Sequence, residues 1–112
     1  MRVGIAGYGV VGKTRHLSIE ANTSFKVTAI SEKNNDVCQS IPSEITVFND
    51  YKTLISDADI DIIFISLPNQ FAAEASCLSL EKGLHVFCEK PPARTHAELL
   101  KVKQQSLKFP HL

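Results

Sequence analysis

The chain has 112 residues, of which 44% are hydrophobic and 21% charged, and its formal net charge is zero. That length suffices for one small domain with one core, and the neutral charge argues against nucleic acid or an anionic membrane as a partner. No apolar run reaches the ~18 residues of a membrane span, and the N-terminus lacks the ~7–15-residue apolar core of a signal peptide. We therefore expect a globular protein of the cytoplasm.

The cysteines support the same location. Cys38, Cys77 and Cys88 are odd in number, widely spaced and without a C-x-x-C pair. This pattern is typical of reduced cysteines that pack inside a cytoplasmic protein. We predict no disulfide and no metal site.

The chain opens with a short apolar strand, from Arg2 to Ala6, that runs directly into the glycine-rich segment Gly7–Gly12. This segment reads G-x-G-x-x-G, and strand, glycine turn and helix in that order form the context in which the motif binds a dinucleotide. The spacing predicts that one face of the following helix holds Val10, Thr14, Leu17 and Ala21.

Each glycine of the motif has a separate physical role. Gly7 permits the tight turn, Gly9 lets the backbone approach a pyrophosphate, and Gly12 lets helix and strand pack closely. The phosphates are expected on unpaired N–H groups at the positive end of the helix dipole.

Strand and helix patterns alternate through the rest of the chain. Further strands are predicted at 25–31, 44–48, 60–66 and 84–88, because these segments are rich in β-branched and apolar residues. A helical turn is predicted at 37–41, a short helix after Asn49 or Asp50, and a longer helix over 70–82. A capping box at 95–98 opens the last helix, with Leu99 and Val102 facing inward.

This alternation indicates an α/β fold of the Rossmann type, a doubly wound parallel sheet with strand order 3-2-1-4-5. Residues 1–112 are expected to form one NAD(P)-binding domain, without its sixth strand and without a second, substrate-binding domain. The ligand crevice should lie at the carboxyl ends of the first and fourth strands.

The choice of cofactor depends on Glu32, which follows the second strand 20 residues after Gly12. A carboxylate at this place accepts hydrogen bonds from the ribose hydroxyls of NAD and repels a 2′-phosphate. Lys33 beside it softens that preference. NAD is therefore the expected cofactor and NADP the alternative, whereas the simpler interpretation is a solvated Glu-Lys pair in a loop.

A rival interpretation comes from residues 7–14, which also satisfy the phosphate-loop pattern G-x-x-x-x-G-K-T of ATP- and GTP-hydrolysing proteins. Lys13 would then reach the phosphates and Thr14 would bind magnesium. Against this, no apolar strand ends in the aspartate that such proteins use on magnesium.

A second informative segment is Glu89-Lys90-Pro91, at the end of the fifth strand. The two prolines at 91 and 92 stiffen the loop, which places the Lys90 ammonium on the rim of the crevice. A lysine there can hold a substrate oxygen near the nicotinamide and stabilise charge as hydride moves. The simpler alternative is a salt-bridged surface lysine before a proline turn.

Taken together, these segments make the sequence resemble the glucose–fructose oxidoreductase and inositol dehydrogenase (Gfo/Idh/MocA) family of NAD(P)-dependent sugar oxidoreductases. The resemblance covers nearly the whole chain and is carried by Gly7–Gly12, Asp61–Asn69 and above all Lys82–Pro91, which is similar to the family signature G-K-H-V-x-x-E-K-P. It implies hydride transfer between NAD(P) and a secondary alcohol of a sugar or cyclitol.

The resemblance and the motifs together define the predicted site. Lys90 is the predicted catalytic residue. The predicted cofactor-binding residues are Gly7, Tyr8, Gly9, Val10, Val11, Gly12, Glu32, Lys33, Ser66, Leu67, Pro68, Asn69, Glu89, Lys90 and Pro91.

Two departures from the family qualify this expectation. Ala72 stands where members usually have a histidine, and members are roughly three times as long, with a second domain that supplies the acid–base residues. A base is needed to take the hydroxyl proton as hydride leaves, and no histidine of this chain is predicted to face the crevice. We therefore expect cofactor binding with little or no turnover, and a non-enzymatic dinucleotide-binding module is an alternative.

The apolar fifth strand, left near an edge, predicts self-association where the C-terminal domain is missing.

Overall fold

A computed structural model describes residues 1–112 and has a five-stranded sheet with helices on both faces. The strands are β1 (Arg2–Ala6), β2 (Lys26–Ser31), β3 (Thr46–Phe48), β4 (Ile62–Ile65) and β5 (His85–Cys88). The helices are α1 (Val10–Glu20), α2 (Asn35–Cys38), α3 (Tyr51–Asp57), α4 (Asn69–Glu81) and α5 (His96–Leu107). No helix is both long enough and apolar enough to span a bilayer.

The sheet has the predicted topology. All neighbouring strands pair in parallel, in the order β3-β2-β1-β4-β5. The order reverses between β1 and β4, and this is the point at which open α/β sheets bind ligands. The α/β fold class and the strand order are therefore confirmed, and residues 1–112 form no second sheet.

The central strands bury apolar side chains on both faces, as their continuous apolar sequences predict. Ile5 of β1 is inaccessible to solvent in a core cluster with Ile19 of α1, whereas Ile63 of β4 is inaccessible in the cluster that contains residues of α3 and α4. Full burial of such a side chain contributes about 1.5–3 kcal/mol to stability. The two clusters hold the helices at fixed positions on the sheet.

The face of α1 on which the spacing groups Val10, Thr14, Leu17 and Ala21 is not the buried face. Val10 and Leu17 are 85% and 76% exposed, and the buried residues of the helix are Gly12, His16 and Ile19. Close packing of Gly12 against the turn sets the rotation of the helix, and residues four and seven positions further on then face the sheet. The glycine, rather than the apolar pattern, decides which face is buried.

The inner face of α4 consists mainly of small residues. Ala75 is fully buried, and Ala72, Ser76 and Ser79 are buried beside it. The two serine hydroxyls donate to the carbonyl oxygens four residues earlier, at 2.8 and 2.7 Å, so neither polar group is left unsatisfied. The helix α5 has no buried residue, and Leu99, which was predicted to face inward, is 43% exposed.

One of the aspartates before β4 forms a structural ion pair. The carboxylate of Asp61 accepts hydrogen bonds from the Arg2 backbone N–H at 2.8 Å and from the guanidinium at 2.9 and 3.2 Å. These bonds join the amino ends of β1 and β4. The side-chain hydrogen bonds from Arg2, followed by its backbone N–H, lower the pKa of Asp61 to about 2.

We expect Asp61→Asn to lower the melting temperature at pH 7 and to flatten its acid dependence. Because the folded-state pKa is lowered, the stability from this pair is complete above about pH 4 and is lost as the pH falls towards about 2. Thermal melts across this range test the expectation. Asp57→Asn, at the C-terminal end of α3 and without an ion pair, is the matched control, and equal pH profiles for both variants would contradict it.

The edge strand β5 supports the predicted self-association, which remains a prediction. It pairs only with β4, and Phe87 is 44% exposed on it. Open apolar strand edges are templates for pairing with another chain. We expect light scattering at high concentration to give a mass above that of one chain, and Phe87→Lys to reduce it. Val47→Lys on the short opposite edge strand is the control, and a monomeric wild type would contradict the prediction.

Candidate functional site

The loops that follow the strands meet at one edge of the sheet, because all five strands are parallel. Backbone hydrogen bonds continue the sheet one residue beyond the strands and fix where these loops begin. They run from Gly7 N–H to Ser31 O (3.1 Å), Ser66 N–H to Ala6 O (2.8 Å), Glu32 N–H to Phe48 O (3.0 Å) and Glu89 N–H to Ile65 O (2.9 Å).

The turn after β1 has two positions that accept only glycine. Gly7 has φ of +89°, and a Cβ there would lie 2.6 Å from the Ser66 carbonyl oxygen. A Cβ on Gly12 would overlap the carbonyl oxygen of Gly7. Both glycines are therefore required by backbone packing, which presses the first turn of α1 against the end of β1.

Gly9 differs from the other two, because a Cβ there would meet nothing within 4 Å and would project into open space. Gly9 is the N-cap of α1, no side chain caps the helix, and the first helical bond joins Lys13 N–H to Gly9 O at 3.0 Å. The amides of Val10, Val11 and Gly12 consequently have no partner within the helix. Open space in front of unpaired amides at a helix N-terminus fits a phosphate group.

The carboxylate of Glu32 is held in place by three backbone amides. One oxygen accepts from Tyr8 N–H at 2.9 Å, and the other accepts from Lys33 and Asn34 N–H, each at 2.9 Å. A carboxylate can accept about four hydrogen bonds, so one acceptor position remains for a ligand hydroxyl. The arrangement also keeps a negative charge beside the glycine turn.

A crevice of about 480 Å³ lies between these loops, which is within the usual size of a small-molecule site. The predicted residues that line it are Gly7, Tyr8, Gly9, Glu32, Lys33, Ser66, Leu67 and Pro68. The hydroxyl of Ser66, one of these lining residues, is buried and has no hydrogen-bond partner in the protein.

The crevice has a further wall that the sequence analysis missed. It consists of Ser31, Asn49, Asp50, Tyr51 and Phe71. Three of them follow β3, whose carboxyl end reaches the crevice only because β3 lies beside β2. The predicted strand order contained this information, but no motif marked the residues.

Hydrogen bonds fix two side chains of this missed wall. The Tyr51 hydroxyl donates to Glu74, and burial, followed by this carboxylate, raises the pKa of Tyr51. Asp50 caps α3 by accepting from Thr53 N–H and Oγ1, both at 2.9 Å, and these bonds lower the pKa of Asp50. The wall therefore combines an aromatic surface with a fixed negative charge.

The other predicted residues lie outside the lining of the crevice. Val10 and Val11 are exposed in the first turn of α1, Gly12 is buried beneath the glycine turn, and Asn69 begins α4. Glu89, Lys90 and Pro91 follow β5. The Glu89 carboxylate pairs with Arg15, whereas the Lys90 side chain has no ion-pair partner. The Lys90–Pro91 peptide bond is cis. Lys90 is therefore not the salt-bridged surface lysine that the simpler alternative predicted.

No histidine lines the crevice. His16 is buried, and its Nδ1 lies 2.7 Å from the Tyr8 hydroxyl, so it supports the glycine turn from below. His85 begins β5 at the opposite edge of the sheet, and His96 begins α5. The described residues thus bring no imidazole to the site.

The phosphate-loop alternative is not supported. The helix already begins at Val10, so Lys13 and Thr14 lie in its second turn rather than at its entrance. The Lys13 ammonium lies 5.9 Å from the centre of the Tyr8 ring, and the Thr14 hydroxyl donates to the Val10 carbonyl at 3.0 Å. Neither side chain is arranged to hold a phosphate and a metal.

Proteins of known function have sequences similar to this chain. The inositol 2-dehydrogenase of Salmonella paratyphi B is 32% identical over 108 residues, which cover 91% of this chain and 32% of that protein. The levoglucosan dehydrogenase of Pseudarthrobacter phenanthrenivorans is also 32% identical, over 88% of this chain and 28% of its own length. The chain therefore spans about a third of the length of these curated relatives.

A solved structure agrees with the sequence comparisons. The scyllo-inositol dehydrogenase of Lactobacillus casei, in a crystal with bound NAD(H) and scyllo-inositol, superposes with a TM-score of 0.92 at 26% identity. The match covers 100% of this chain and 34% of that chain. Residues 1–108 also match the family model described as "Oxidoreductase family, NAD-binding Rossmann fold" (GFO_IDH_MocA). The chain belongs to this oxidoreductase family, Gfo/Idh/MocA, and corresponds to its NAD-binding Rossmann fold.

Proposed function

We propose that residues 1–112 are the cofactor-binding domain of an oxidoreductase that moves hydride between NAD and a secondary alcohol of a sugar or cyclitol. The observation that carries this proposal is the Glu32 carboxylate, which three amides hold at the end of β2 with one acceptor position left. The inositol and levoglucosan dehydrogenases among the relatives support the class of substrate. The three free cysteines are in keeping with a cytoplasmic location.

The residues would divide the cofactor between them. The amides of Val10, Val11 and Gly12 would hold the pyrophosphate, and Glu32 would accept from the adenosine ribose. The loops Ser66–Asn69 and Glu89–Pro91 would line the nicotinamide side. When bound, the nicotinamide supplies the hydride chemistry, and the protein supplies position and electrostatics.

Lys90 would act on the substrate. Its ammonium is exposed and has no ion-pair partner, so it is available to donate a hydrogen bond to a substrate oxygen. A fixed positive charge there would stabilise the negative charge that develops on this oxygen during hydride transfer. The proton of the substrate hydroxyl still needs a base, and no histidine of residues 1–112 lines the crevice.

The cofactor preference can be tested by titrating the chain with NADH and NADPH. The Glu32 charge favours ribose hydroxyls and repels a 2′-phosphate, so Glu32→Ala should weaken NADH binding about tenfold and NADPH binding by less. Isothermal titration gives both dissociation constants, and their ratio is insensitive to a general loss of folded protein. Glu44→Ala, at an exposed glutamate that forms no ion pair, is the control.

An equal loss of affinity for both nucleotides would show that Glu32 does not bind the ribose. A wild-type chain that binds neither nucleotide would overturn the proposal. The same samples should show little or no turnover with a panel of sugars and cyclitols. Substantial turnover by residues 1–112 would contradict the need for a base from elsewhere.

Gly9→Ala separates ligand binding from folding. The added methyl group meets no protein atom and points into the proposed phosphate position, so NADH binding should fall at least about tenfold while stability changes by less than about 1 kcal/mol. Fluorescence titration and thermal melts measure the two effects.

Gly83→Ala is the opposite control. Gly83 has φ of +85° far from the crevice, so this variant should lose about 1 kcal/mol of stability and bind NADH normally. Normal NADH binding by Gly9→Ala would place the pyrophosphate elsewhere.

A further inference from the structure

We propose that Arg15 is a positioning residue for Lys90, because it binds the carboxylate of Glu89 and so leaves the neighbouring ammonium free. The role of Lys90 toward the substrate rests on the proposed function. The pairing of Arg15 with Glu89 and its effect on Lys90 are properties of the protein alone.

Arg15 joins two parts of the site that are distant in the sequence. It lies on α1, the helix whose N-terminus forms the phosphate cradle, and its Nε donates to the Glu89 carboxylate, 74 residues further along the chain. Glu89 is the first residue after β5 and is held to the sheet by its own N–H, which donates to Ile65 O at 2.9 Å. The ion pair thus ties the loop that carries Lys90 to the helix of the glycine turn.

Aromatic rings fix the Arg15 side chain in this position. The guanidinium carbon lies 5.3 Å from the centre of the Phe87 ring, within the range of a cation–π contact. Phe87 in turn stacks on Phe64, its register partner on β4, with 4.9 Å between the ring centres. The guanidinium is therefore held over a rigid surface rather than moving freely in solvent.

The pair is more enclosed than an ordinary surface salt bridge. The Glu89 side chain is 18% exposed and that of Arg15 is 37% exposed, against 23% and 56% for Glu98 and Arg94 in the surface pair on α5. The hydrogen bond from Arg15 lowers the pKa of Glu89, so this carboxylate is charged at neutral pH. An enclosed carboxylate that loses its cation takes another one if a cation is within reach.

Lys90 can supply that cation: it is the next residue in the chain, and after Arg15 its charge also lowers the pKa of Glu89. In the structure Arg15 is the ion-pair partner of Glu89, and Lys90 has none. Without Arg15, Coulomb attraction would draw the ammonium toward Glu89 and away from a substrate oxygen. Although Glu89 and Lys90 are adjacent in the sequence, Lys90 stays free because Arg15 neutralises the Glu89 carboxylate.

The test measures how fast an amine-acylating reagent modifies Lys90, by mass spectrometry of the peptide that contains it. Arg15→Gln should slow this modification about threefold, because the freed Glu89 carboxylate stabilises the unreactive ammonium form. The double variant Arg15→Gln, Glu89→Gln should return the rate to that of the wild type. A merely structural loss would not be repaired by the second substitution.

Controls are available within the same chain. Lys101 and Lys103, on the distant helix α5, serve as internal standards, and Arg94→Gln removes a surface ion pair with Glu98 instead. Arg15→Lys keeps a cation at the site and should leave the Lys90 rate within twofold of the wild type, which gives a second measurement if Arg15→Gln folds poorly. An unchanged rate in Arg15→Gln, or no recovery in the double variant, would overturn the proposal.

No nucleotide enters this experiment. Failure to bind NADH would therefore contradict the proposed function, but it would not affect the conclusion about Arg15, Glu89 and Lys90. Conversely, an unchanged Lys90 rate would leave the cofactor proposal intact.

Discussion

The contact between Gly12 and the carbonyl of Gly7 determines the geometry of everything around it. The first turn of α1 packs so closely on the end of β1 that a Cβ at position 12 would overlap the Gly7 oxygen, and only glycine fits there. This close approach holds the N-terminus of the helix against the end of β1, beside the crevice. It also sets the rotation of α1, which places His16 and Ile19 against the sheet and Arg15 near the end of β5. The proposed phosphate position and the ion pair with Glu89 both depend on this one backbone contact.

Glu32 adds an electrostatic element to this backbone framework. Its carboxylate accepts from the amide of Tyr8 in the glycine turn and from two amides of its own loop. The negative charge is therefore fixed before any ligand arrives, and little reorganisation is needed to receive a hydroxyl group. Charge-assisted hydrogen bonds to backbone amides are stronger than neutral ones, so they hold the turn and the end of β2 together as one unit.

Much of the fold was predictable because its signals are local. The continuous apolar segment of β4 and the glycine motif after β1 specify a buried parallel sheet and its crossing point, and the strand order follows from the alternation of elements. The wall formed by Asn49, Asp50 and Tyr51 was missed because it depends on which strand lies beside β2. The buried face of α1 differs from the face that the apolar spacing indicates, because the close contact of Gly12 with the Gly7 carbonyl sets the rotation of the helix. The ion pair of Arg15 with Glu89 joins residues 74 positions apart, and no local pattern reports such a pair.

The small residues on α4 have a consequence for how this protein can change. Ala72, Ala75, Ser76 and Ser79 are buried against the sheet, and the serine hydroxyls are satisfied within the helix, so all four behave as minimal spacers. The helix can approach the strands closely only while these positions stay small, since larger side chains would lift it away from the sheet. Its first residues follow the loop Ser66–Pro68, so a lifted helix would also widen the mouth of the crevice. Substitutions by larger residues are therefore expected on the outer surfaces of the helices, and not at the positions where α4 packs on the sheet.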